Sequence, residues 1–181
     1  YNFTQTLEPR VFYTYTPYDD QSEIPMFDTS LNELNEYNIF QENQFSGNDR
    51  IMDTNAITTA ITSRVLDDSG YDWMTLTMAQ RFYLSDRKVL NEAQFDGSTY
   101  KGDESDFLVS AKANLSKALA LSTNYEYNFS EDITNRFTAG ASYAPEPGKV
   151  LNASYRMVLN PDSNEYDVKQ YLLSGQWPIS S

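Results

Sequence analysis

Several residue types that commonly carry chemistry are absent or scarce in this chain of 181 residues. The absence of cysteine excludes disulfides and thiolate metal sites within the chain. The absence of histidine weakens the case for a zinc centre or a His-based catalytic triad. Only 13 basic residues stand against 26 acidic ones, and this net charge of −13 argues against nucleic-acid binding, which relies on clustered Lys and Arg. No apolar run approaches the ~20 residues that a membrane-spanning helix requires.

Aromatic residues are abundant, with 14 tyrosines and 10 phenylalanines, and many of them occupy every second position. Between Leu121 and Phe129, for example, apolar or aromatic residues alternate with polar ones. This period of two predicts β-strands with one apolar face. A membrane-spanning strand needs only about 9 to 11 residues with its outward half apolar, so the mean hydropathy of −0.60 is compatible with a barrel.

The alternation predicts about eight strands, which are longer than those of most soluble sheets. They are expected near residues 6–16, 57–65, 74–84, 107–115, 121–129, 137–143, 151–159 and 171–177. Strands of soluble sandwiches average about 5 to 6 residues, whereas roughly 9 to 12 residues cross a bilayer at a tilt. We expect the two prolines of Pro145-Glu146-Pro147-Gly148 to end the sixth strand, because proline donates no ladder hydrogen bond.

The connections differ in length according to the side on which they lie. Those after strands one, three and seven are long or medium and polar, and those after strands two, four and six are short; the short joint after strand five is the exception. This asymmetry is typical of outer-membrane barrels. The prediction is therefore an all-β fold, an antiparallel meander of about eight strands that forms a segment of a large transmembrane β-barrel. Residues 18–55 are predicted as a long extracellular loop and residues 85–106 as a second one.

The two faces of the predicted sheet differ in charge, which suggests what each one contacts. Unpaired buried charge costs several kcal/mol per ion, so the charged face is expected to be wet. The residues predicted to line the lumen or face a partner are Arg10, Thr14, Arg64, Arg81, Lys112, Glu126, Arg136 and Arg156. The residues predicted to face lipid are Tyr13, Tyr15, Leu76, Phe82, Tyr125, Tyr127, Phe129, Tyr143, Tyr155 and Trp177. Two simpler readings stay open: the arginines only pair with nearby acids, and aromatic residues favour strands by propensity.

The long connection has the most distinctive local sequence. Asp28-Thr29-Ser30 offers helix caps, residues 31–43 could form a turn or two of helix, and the segment from Phe45 to Ile51 is rich in turn-forming residues. Loops of this length are usually functional or disordered. Apolar side chains predict that this loop is packed rather than solvated, namely Pro25, Met26, Phe27, Ile39 and Phe40.

At these residues the chain resembles a known family, that of the lipopolysaccharide-assembly outer-membrane protein LptD, also called OstA or Imp. The motifs that carry the resemblance are Leu7-Glu8-Pro9-Arg10, Pro17-Tyr18, Asp20-Gln21-Ser22, Ile24-Pro25, Phe27-Asp28, Phe45-Ser46-Gly47-Asn48-Asp49-Arg50-Ile51, Asn55, Thr62-Ser63-Arg64, Gln80-Arg81-Phe82-Tyr83 and, more weakly, Trp177-Pro178-Ile179. The block between Leu7 and Arg64 is the most specific. Beyond about Phe107 the resemblance is mainly one of strand pattern.

The resemblance implies a function for the parent protein rather than for this segment alone. It implies a partial barrel domain over residues 1–181, in the outer membrane of a Gram-negative bacterium, and translocation of lipopolysaccharide into the outer leaflet without catalysis. The implied partners are lipopolysaccharide, the outer membrane and an LptE-like lipoprotein that plugs the lumen; neither nucleic acid nor a cofactor or metal is implied. The gate and the lipid-receiving groove are expected outside this chain.

Other functional classes compete with this interpretation. A generic outer-membrane porin shares the strand pattern and lacks only the motifs, and a soluble glycan-binding β-sandwich also alternates. An enzyme would need a Ser, His or paired-carboxylate constellation, and the polar face offers only Glu126 within a strand. Acidic clusters such as Asp103-Glu104-Ser105-Asp106 could bind calcium through oxygen atoms, but none has EF-hand spacing, and solvated loop charge is the better interpretation.

Overall fold

A computed structural model describes residues 2–21, 23–25, 27–32, 34–89, 103–160 and 165–178, and these residues form β-strands, turns and loops without an α-helix. The strands are β1 (Phe3–Thr16), β2 (Thr54–Asp67), β3 (Asp72–Tyr83), β4 (Phe107–Asn114), β5 (Leu119–Asn128), β6 (Ile133–Glu146), β7 (Lys149–Asn160) and β8 (Glu165–Gln176). Within the described ranges, no helix has the length and apolar character needed to cross a membrane.

The eight strands follow one another in a single sheet in chain order, from β1 to β8. From β4 to β8, each strand pairs with the next in antiparallel fashion, with registers such as Tyr125↔Phe137 and Tyr155↔Tyr171. In the part of the chain that the structure describes, β1 and β8 are the edges and do not pair with each other. The predicted all-β antiparallel meander is therefore confirmed, as an open sheet.

The strand ends differ from the sequence expectation at several places. The sixth strand continues through Pro145 and ends at Glu146, directly before Pro147, so it ends within the Pro145-Glu146-Pro147-Gly148 segment as predicted, although the first proline is still part of the strand. The pairing shifts between Tyr143 and Glu146, and an irregularity of this kind is where a strand tolerates a residue without an N–H. β8 begins at Glu165, six residues before the predicted start at Tyr171. Pro161 and Asp162 of the predicted turn before it lie outside the described residues.

The chain groups into two compact units, and β1, β2 and β3 each contribute to both. The sheet unit comprises Tyr1–Pro9, Ile61–Met78 and Asp106–Ser181, and the loop unit comprises Arg10–Ala60 and Ala79–Ser105. In the loop unit, the connection between β1 and β2 folds over one face of the strands, where Ile39 and Met52 are buried almost completely. The core of this unit therefore lies between a loop and a single layer of sheet.

Burial in the loop unit is reversed relative to a soluble sheet. On the face predicted to be polar, Thr14, Thr58 and Arg81 are buried, Arg81 with 0% exposure. On the opposite face the apolar residues are solvent-exposed, with Val11 at 73% and Tyr15 at 63% exposure. A soluble sandwich would bury its apolar face and solvate the polar one. The alternation predicted the two faces correctly, but the polar face here is covered rather than wet.

In the sheet unit, aromatic rings form a row across the strands. Tyr125 of β5 contacts Phe137 of β6, Phe137 contacts Tyr155 of β7, and Tyr155 contacts Tyr171 of β8, with ring centroids 6.5, 6.3 and 4.8 Å apart. The register places Tyr125 opposite Phe137 and Tyr155 opposite Tyr171, so all four lie on one face. Cross-strand aromatic contacts stabilise a sheet by roughly 0.2 to 1 kcal/mol per pair.

Candidate functional site

The connection between β1 and β2, residues 17–53, is a structured element that we call the docked loop. It doubles back on itself through a bridge between Leu31 and Phe45 and hydrogen bonds between Ser30 and Ser46. A single helical turn follows Asn35, whose side-chain Oδ1 accepts from the backbone N–H groups of Tyr37 and Asn38. Asparagine is well suited to capping the first turn of a helix in this way. The predicted helical turn and fold-back are both present.

A small apolar cluster stabilises the docked loop from within. Phe45 and Met52 of the loop pack with Val89, and Leu31 lies against this cluster. The buried carboxylate of Asp53 accepts hydrogen bonds from the backbone N–H groups of Lys88 and Val89, at 2.8 to 2.9 Å. The loop is thus packed, as predicted, and it is tied to the beginning of the connection after β3.

The segment from Phe45 to Ile51 forms a turn that only glycine allows at its centre. Gly47 has a φ of +76°, and a Cβ atom there would lie 2.9 Å from Asp28 Oδ1. Two residues later, the Asp49 carboxylate accepts from the backbone N–H groups of Phe27 and Asp28. These bonds, the one from Phe27 first, lower the pKa of Asp49 below its ordinary value of 3.8. The ionised Asp49 carboxylate therefore binds the turn to the backbone of residues about twenty positions earlier in the chain.

Two side chains extend backbone hydrogen bonding within the loop. Gln21 donates to the carbonyl of Ile51 and accepts from its N–H, as a neighbouring strand would. Asn43 accepts from the N–H of Met52 at 3.1 Å and donates to the carbonyl of Arg50 at 3.0 Å. Because loops leave many backbone groups without partners, such amide side chains are what allow this one to be buried.

Arg81 on β3 anchors the docked loop to the sheet. Its Nη2 donates to the backbone carbonyls of Ile39 and of Gln41, the latter at 2.9 Å, and its Nε donates to Thr58 Oγ1 at 3.0 Å. Among the described residues no carboxylate forms an ion pair with it, and its Nη1 has no hydrogen-bond partner. A buried guanidinium therefore binds main-chain oxygen atoms some forty residues earlier in the chain.

Two further arginines show how differently the polar face is used. The guanidinium of Arg10 lies over the ring of Phe40, with Cζ 3.8 Å from the centroid, and Phe12 makes an edge contact with the same ring. Arg64 forms an ion pair with Glu8 at 3.6 Å, with both side chains about half exposed. The simpler reading, in which these arginines only pair with acids, thus fits Arg64 and does not fit Arg10 or Arg81.

The remaining residues predicted to face the lumen do not come together in one site. Glu126 and Arg136 are opposite each other on β5 and β6 and form a mostly buried ion pair at 3.6 Å. Lys112 and Arg156 are exposed, and Thr14 is buried under the docked loop. This set is therefore spread along a face and does not form a catalytic constellation. The structure describes no group of three residues that could ligate a metal ion.

The residues predicted to face lipid lie on the apolar face. Tyr13 and Tyr15 are more than half exposed, and the Tyr13 hydroxyl donates to Asn55 Oδ1 at 3.1 Å. In the sheet unit, Tyr127 stacks on Tyr125, and its other neighbour, Phe129, contacts Phe107. At the opposite end of the strands, the ring of Trp177 has Lys149 Nζ 5.3 Å from its centroid. Leu76, Phe82 and Tyr143 also lie on strands, and among the described residues their side chains make no specific polar contact.

Sequence reasoning missed several residues that hold the docked loop in place. Tyr83 accepts a hydrogen bond from the buried Gln44 Nε2 at 3.1 Å and lies under the guanidinium of Arg87. Asp53 and Thr58 were likewise not singled out for this role. One signal was available, because Tyr83 and Arg81 share the Gln80-Arg81-Phe82-Tyr83 motif. Residues 90–102 of the second predicted loop lie outside the described part of the chain. The same is true of Ser22 and Ile179 from the motifs, and of Met26, which was predicted to pack within the first loop.

The connection after β3 returns along the end of that strand. Phe82 and Glu104 form an antiparallel bridge, and Ser105 bonds both the N–H and the carbonyl of Arg81. The backbone of Arg81 is therefore bound by Ser105, while its side chain binds the docked loop. This double attachment fixes the direction of the guanidinium.

The chain is thus of the all-β, antiparallel-meander class, and in its loop unit the polar face carries the docked loop while apolar residues of the opposite face are exposed. Comparison with protein families matches residues 1–181 to the family described as LptD, LPS transport system D. The chain therefore belongs to the LptD family.

Curated relatives agree with this assignment. The chain is 37% identical over 182 residues to LPS-assembly protein LptD of Burkholderia lata, and 35% identical over 181 residues to that of Paraburkholderia xenovorans. It is 41% identical over 180 residues to LPS-assembly protein LptD of Paracidovorax citrulli. Each alignment covers 99% of this chain, but the chain spans only 21 to 23% of the relatives' length.

Proposed function

We propose that this chain is a wall segment of an outer-membrane barrel that inserts lipopolysaccharide into the outer leaflet. The polar face lines the lumen and meets an LptE-like lipoprotein, and the apolar face meets lipid. Residues 18–55 form an extracellular loop that folds back over the lumen side. The activity of the whole protein is non-catalytic translocation, to which this segment contributes wall, lumen lining and cap.

The observation that carries this proposal is the reversed burial of the two faces. Val11, Tyr13 and Tyr15 are exposed on the apolar side of β1, while Thr14 is buried on the polar side. Exposing a row of aromatic and aliphatic side chains to water would be unfavourable, at about 25 cal/mol per Å² of apolar surface. Lipid removes that cost, so the arrangement suits a membrane wall and does not suit a soluble glycan-binding sandwich.

The height of the apolar face supports the same proposal. The phenol hydroxyl of Tyr125 and the Thr134 Oγ1 hydroxyl interact at 3.0 Å near one end of β6, and Tyr143 lies near the other end. Nine residues separate these two levels, which corresponds to about 30 Å along a strand, or about 23 Å at a tilt of roughly 40°. The apolar band of an outer-membrane barrel is about 25 Å tall and is flanked by aromatic girdles.

Two adjacent residues of β7 provide a matched test, because Tyr155 and Arg156 point to opposite faces of one strand. A benzophenone amino acid is placed at each position in the full-length protein, and crosslinks are made in intact membranes. We expect lipid adducts at residue 155, and adducts to the lipoprotein partner or to newly delivered lipopolysaccharide at residue 156. Adducts to membrane phospholipid at residue 156, or the reverse pattern, would refute the assignment of the faces.

A generic porin is the second candidate, and the same experiment separates the two. A porin would give lipid adducts at residue 155 but no lipoprotein or lipopolysaccharide adduct at residue 156, together with ion conductance in planar bilayers. The family membership of the chain favours lipopolysaccharide assembly over a diffusion pore.

A further inference from the structure

The apolar face of the sheet unit contains a hollow of about 780 Å³. Small side chains form its floor, namely Ala111 and Ala113 of β4, Ala139 and Ala141 of β6, and Ala153 of β7. The register explains the shape: Ala141 is opposite Ala153, and the alanines of β4 are aligned with those of β6 across Leu121 and Thr123 of β5. Where large residues would make a flat wall, this run of alanines leaves a depression of the size of small-molecule sites, about 300 to 1,000 Å³.

Larger apolar side chains surround this floor. Phe137, Tyr155 and Tyr171 belong to the aromatic row, and Leu173, which is 80% exposed, lies next to them on β8. The hydroxyl of Tyr125 in the same row is already occupied by Thr134, so it is directed toward the strand end. The lining is therefore almost entirely hydrocarbon, which fits an alkyl chain and offers little to a polar ligand.

Two lysines lie on this otherwise apolar face, and one of them, Lys149 beside Trp177, forms an ion pair with Glu146 at 2.6 Å. Lys169 is opposite Met157 in the register and two residues before Tyr171, so it shares their face. Its Nζ lies 5.5 Å from the ring centroid of Tyr166, and within the described ranges it forms no ion pair with a carboxylate. Lysine on the lipid face of a barrel is costly at the bilayer midplane and nearly free at the interface. Lys169 is thus placed to meet a lipid phosphate above the hollow.

We propose that the hollow and Lys169 together seat one lipopolysaccharide molecule on the outer surface of the wall. One acyl chain lies over the alanine floor, and a lipid phosphate pairs with the ammonium group of Lys169. This proposal rests on the proposed function, in which β8 enters from the outer side of the membrane and Lys169 is at the level of the outer leaflet. It adds a lipid site on the outside of the barrel, away from the lumen.

The test compares Leu173, in the hollow, with Leu151, on the same face but outside it. In intact membranes, a benzophenone amino acid in the full-length protein should crosslink to lipopolysaccharide at residue 173, and to the surrounding membrane lipid at residue 151, which lies nearer the opposite end of the strands. When the complex is first extracted into detergent and washed repeatedly, and only then irradiated, we expect the adduct still to form at residue 173 and no longer at residue 151. A lipid bound in the hollow stays with the protein during washing, whereas bulk membrane lipid is removed.

Three substitutions test which parts of the proposed lipid site, the hollow and Lys169, hold the lipid. Lys169→Gln should lower the retained adduct at residue 173 about fivefold, as expected for one lysine–headgroup contact. Ala141→Phe should abolish it, because the added ring fills the hollow. Val109→Phe adds similar bulk on the same face outside the lining, and should leave it unchanged.

The outcomes separate this proposal from the proposed function. Equal loss of both adducts on washing, a glycerophospholipid at residue 173 instead of lipopolysaccharide, or a protein crosslink there would overturn the lipid seat alone. Absence of any lipid adduct at both positions in intact membranes would overturn the assignment of the apolar face to lipid, and with it the proposed function.

Discussion

Replacing Arg81 with leucine removes the guanidinium that joins β3 to the docked loop. The carbonyl of Gln41 then loses its buried partner, whereas the carbonyl of Ile39 keeps the Thr58 hydroxyl at 3.4 Å. A buried polar group without a partner costs about 1 to 3 kcal/mol. With one acceptor orphaned and the Thr58 hydroxyl weakened, we expect undocking of the loop to become easier by about 2 to 4 kcal/mol. That corresponds to a roughly 30- to 1,000-fold larger undocked population.

Trypsin cleavage measures this population directly. Arg50 is the only lysine or arginine between Pro17 and Asp53, and it is buried in the docked loop. Cleavage after Arg50 in the full-length protein therefore requires undocking, and its rate follows the undocked fraction when opening is fast relative to cleavage. The Arg81→Leu variant should be cut at this bond faster by the factor given above.

Two variants make this prediction refutable. Arg81→Lys keeps the charge but has a single nitrogen, so its cleavage rate should lie between those of the wild type and Arg81→Leu. Arg156→Leu removes an exposed arginine from the polar face and should leave the rate at Arg50 unchanged. Equal rates for the wild type and Arg81→Leu, both folded, would show that the guanidinium does not hold the loop.

Two further predictions concern the turn of the docked loop. Because the folded-state pKa of Asp49 lies below 3.8, its contribution to loop docking is fully present above about pH 3.8 and is lost as the pH falls through the folded value. Hydrogen exchange at Phe27, corrected for intrinsic rates, should show this loss, and Asp49→Asn should flatten the pH dependence. Gly47→Ala should raise cleavage at Arg50 roughly tenfold, since positive φ costs about 1 to 2 kcal/mol for other residues. Gly70→Ala carries the same φ cost but lies in the turn between β2 and β3, outside the docked loop, and should leave cleavage at Arg50 unchanged.

Each of these predictions has a contrary outcome. Protection of Phe27 that follows the same pH curve in the wild type and in Asp49→Asn would assign the acid sensitivity to another group. A cleavage rate at Arg50 that rises equally in the Gly47 and Gly70 variants would point to general destabilisation rather than to the turn.

The strands and their faces were predictable because they depend on local alternation. Placing Tyr155 on one face and Arg156 on the other needs only a period of two, and the structure keeps that alternation along β7. Strand ends were less predictable, since Pro145 is tolerated at a shift in pairing that no short-range pattern marks. The turn around Gly47 was recognisable from its composition, although its partners were not.

The docking of the loop was only partly predictable, for a physical reason. Apolar residues such as Ile39 and Phe40 indicated a packed loop, but the main acceptors for Arg81 are backbone carbonyls, which every residue has. A charge on the polar face therefore suggested solvent or an acidic partner, and Arg81 has neither in the described structure. Sequence shows which side chains are available, whereas main-chain acceptors become visible only once the chain has folded.

The platform beneath the docked loop also sets an order of assembly. It is built from Phe12 on β1, Thr58 on β2 and Arg81 on β3, so the loop has nothing complete to bind until all three strands are paired. A slip of β3 by one residue would turn Arg81 to the opposite face and leave the carbonyl of Gln41 without a donor. Docking of the loop therefore follows the pairing of the three strands. A sheet with the wrong register cannot bind the loop, which then stays accessible to proteases.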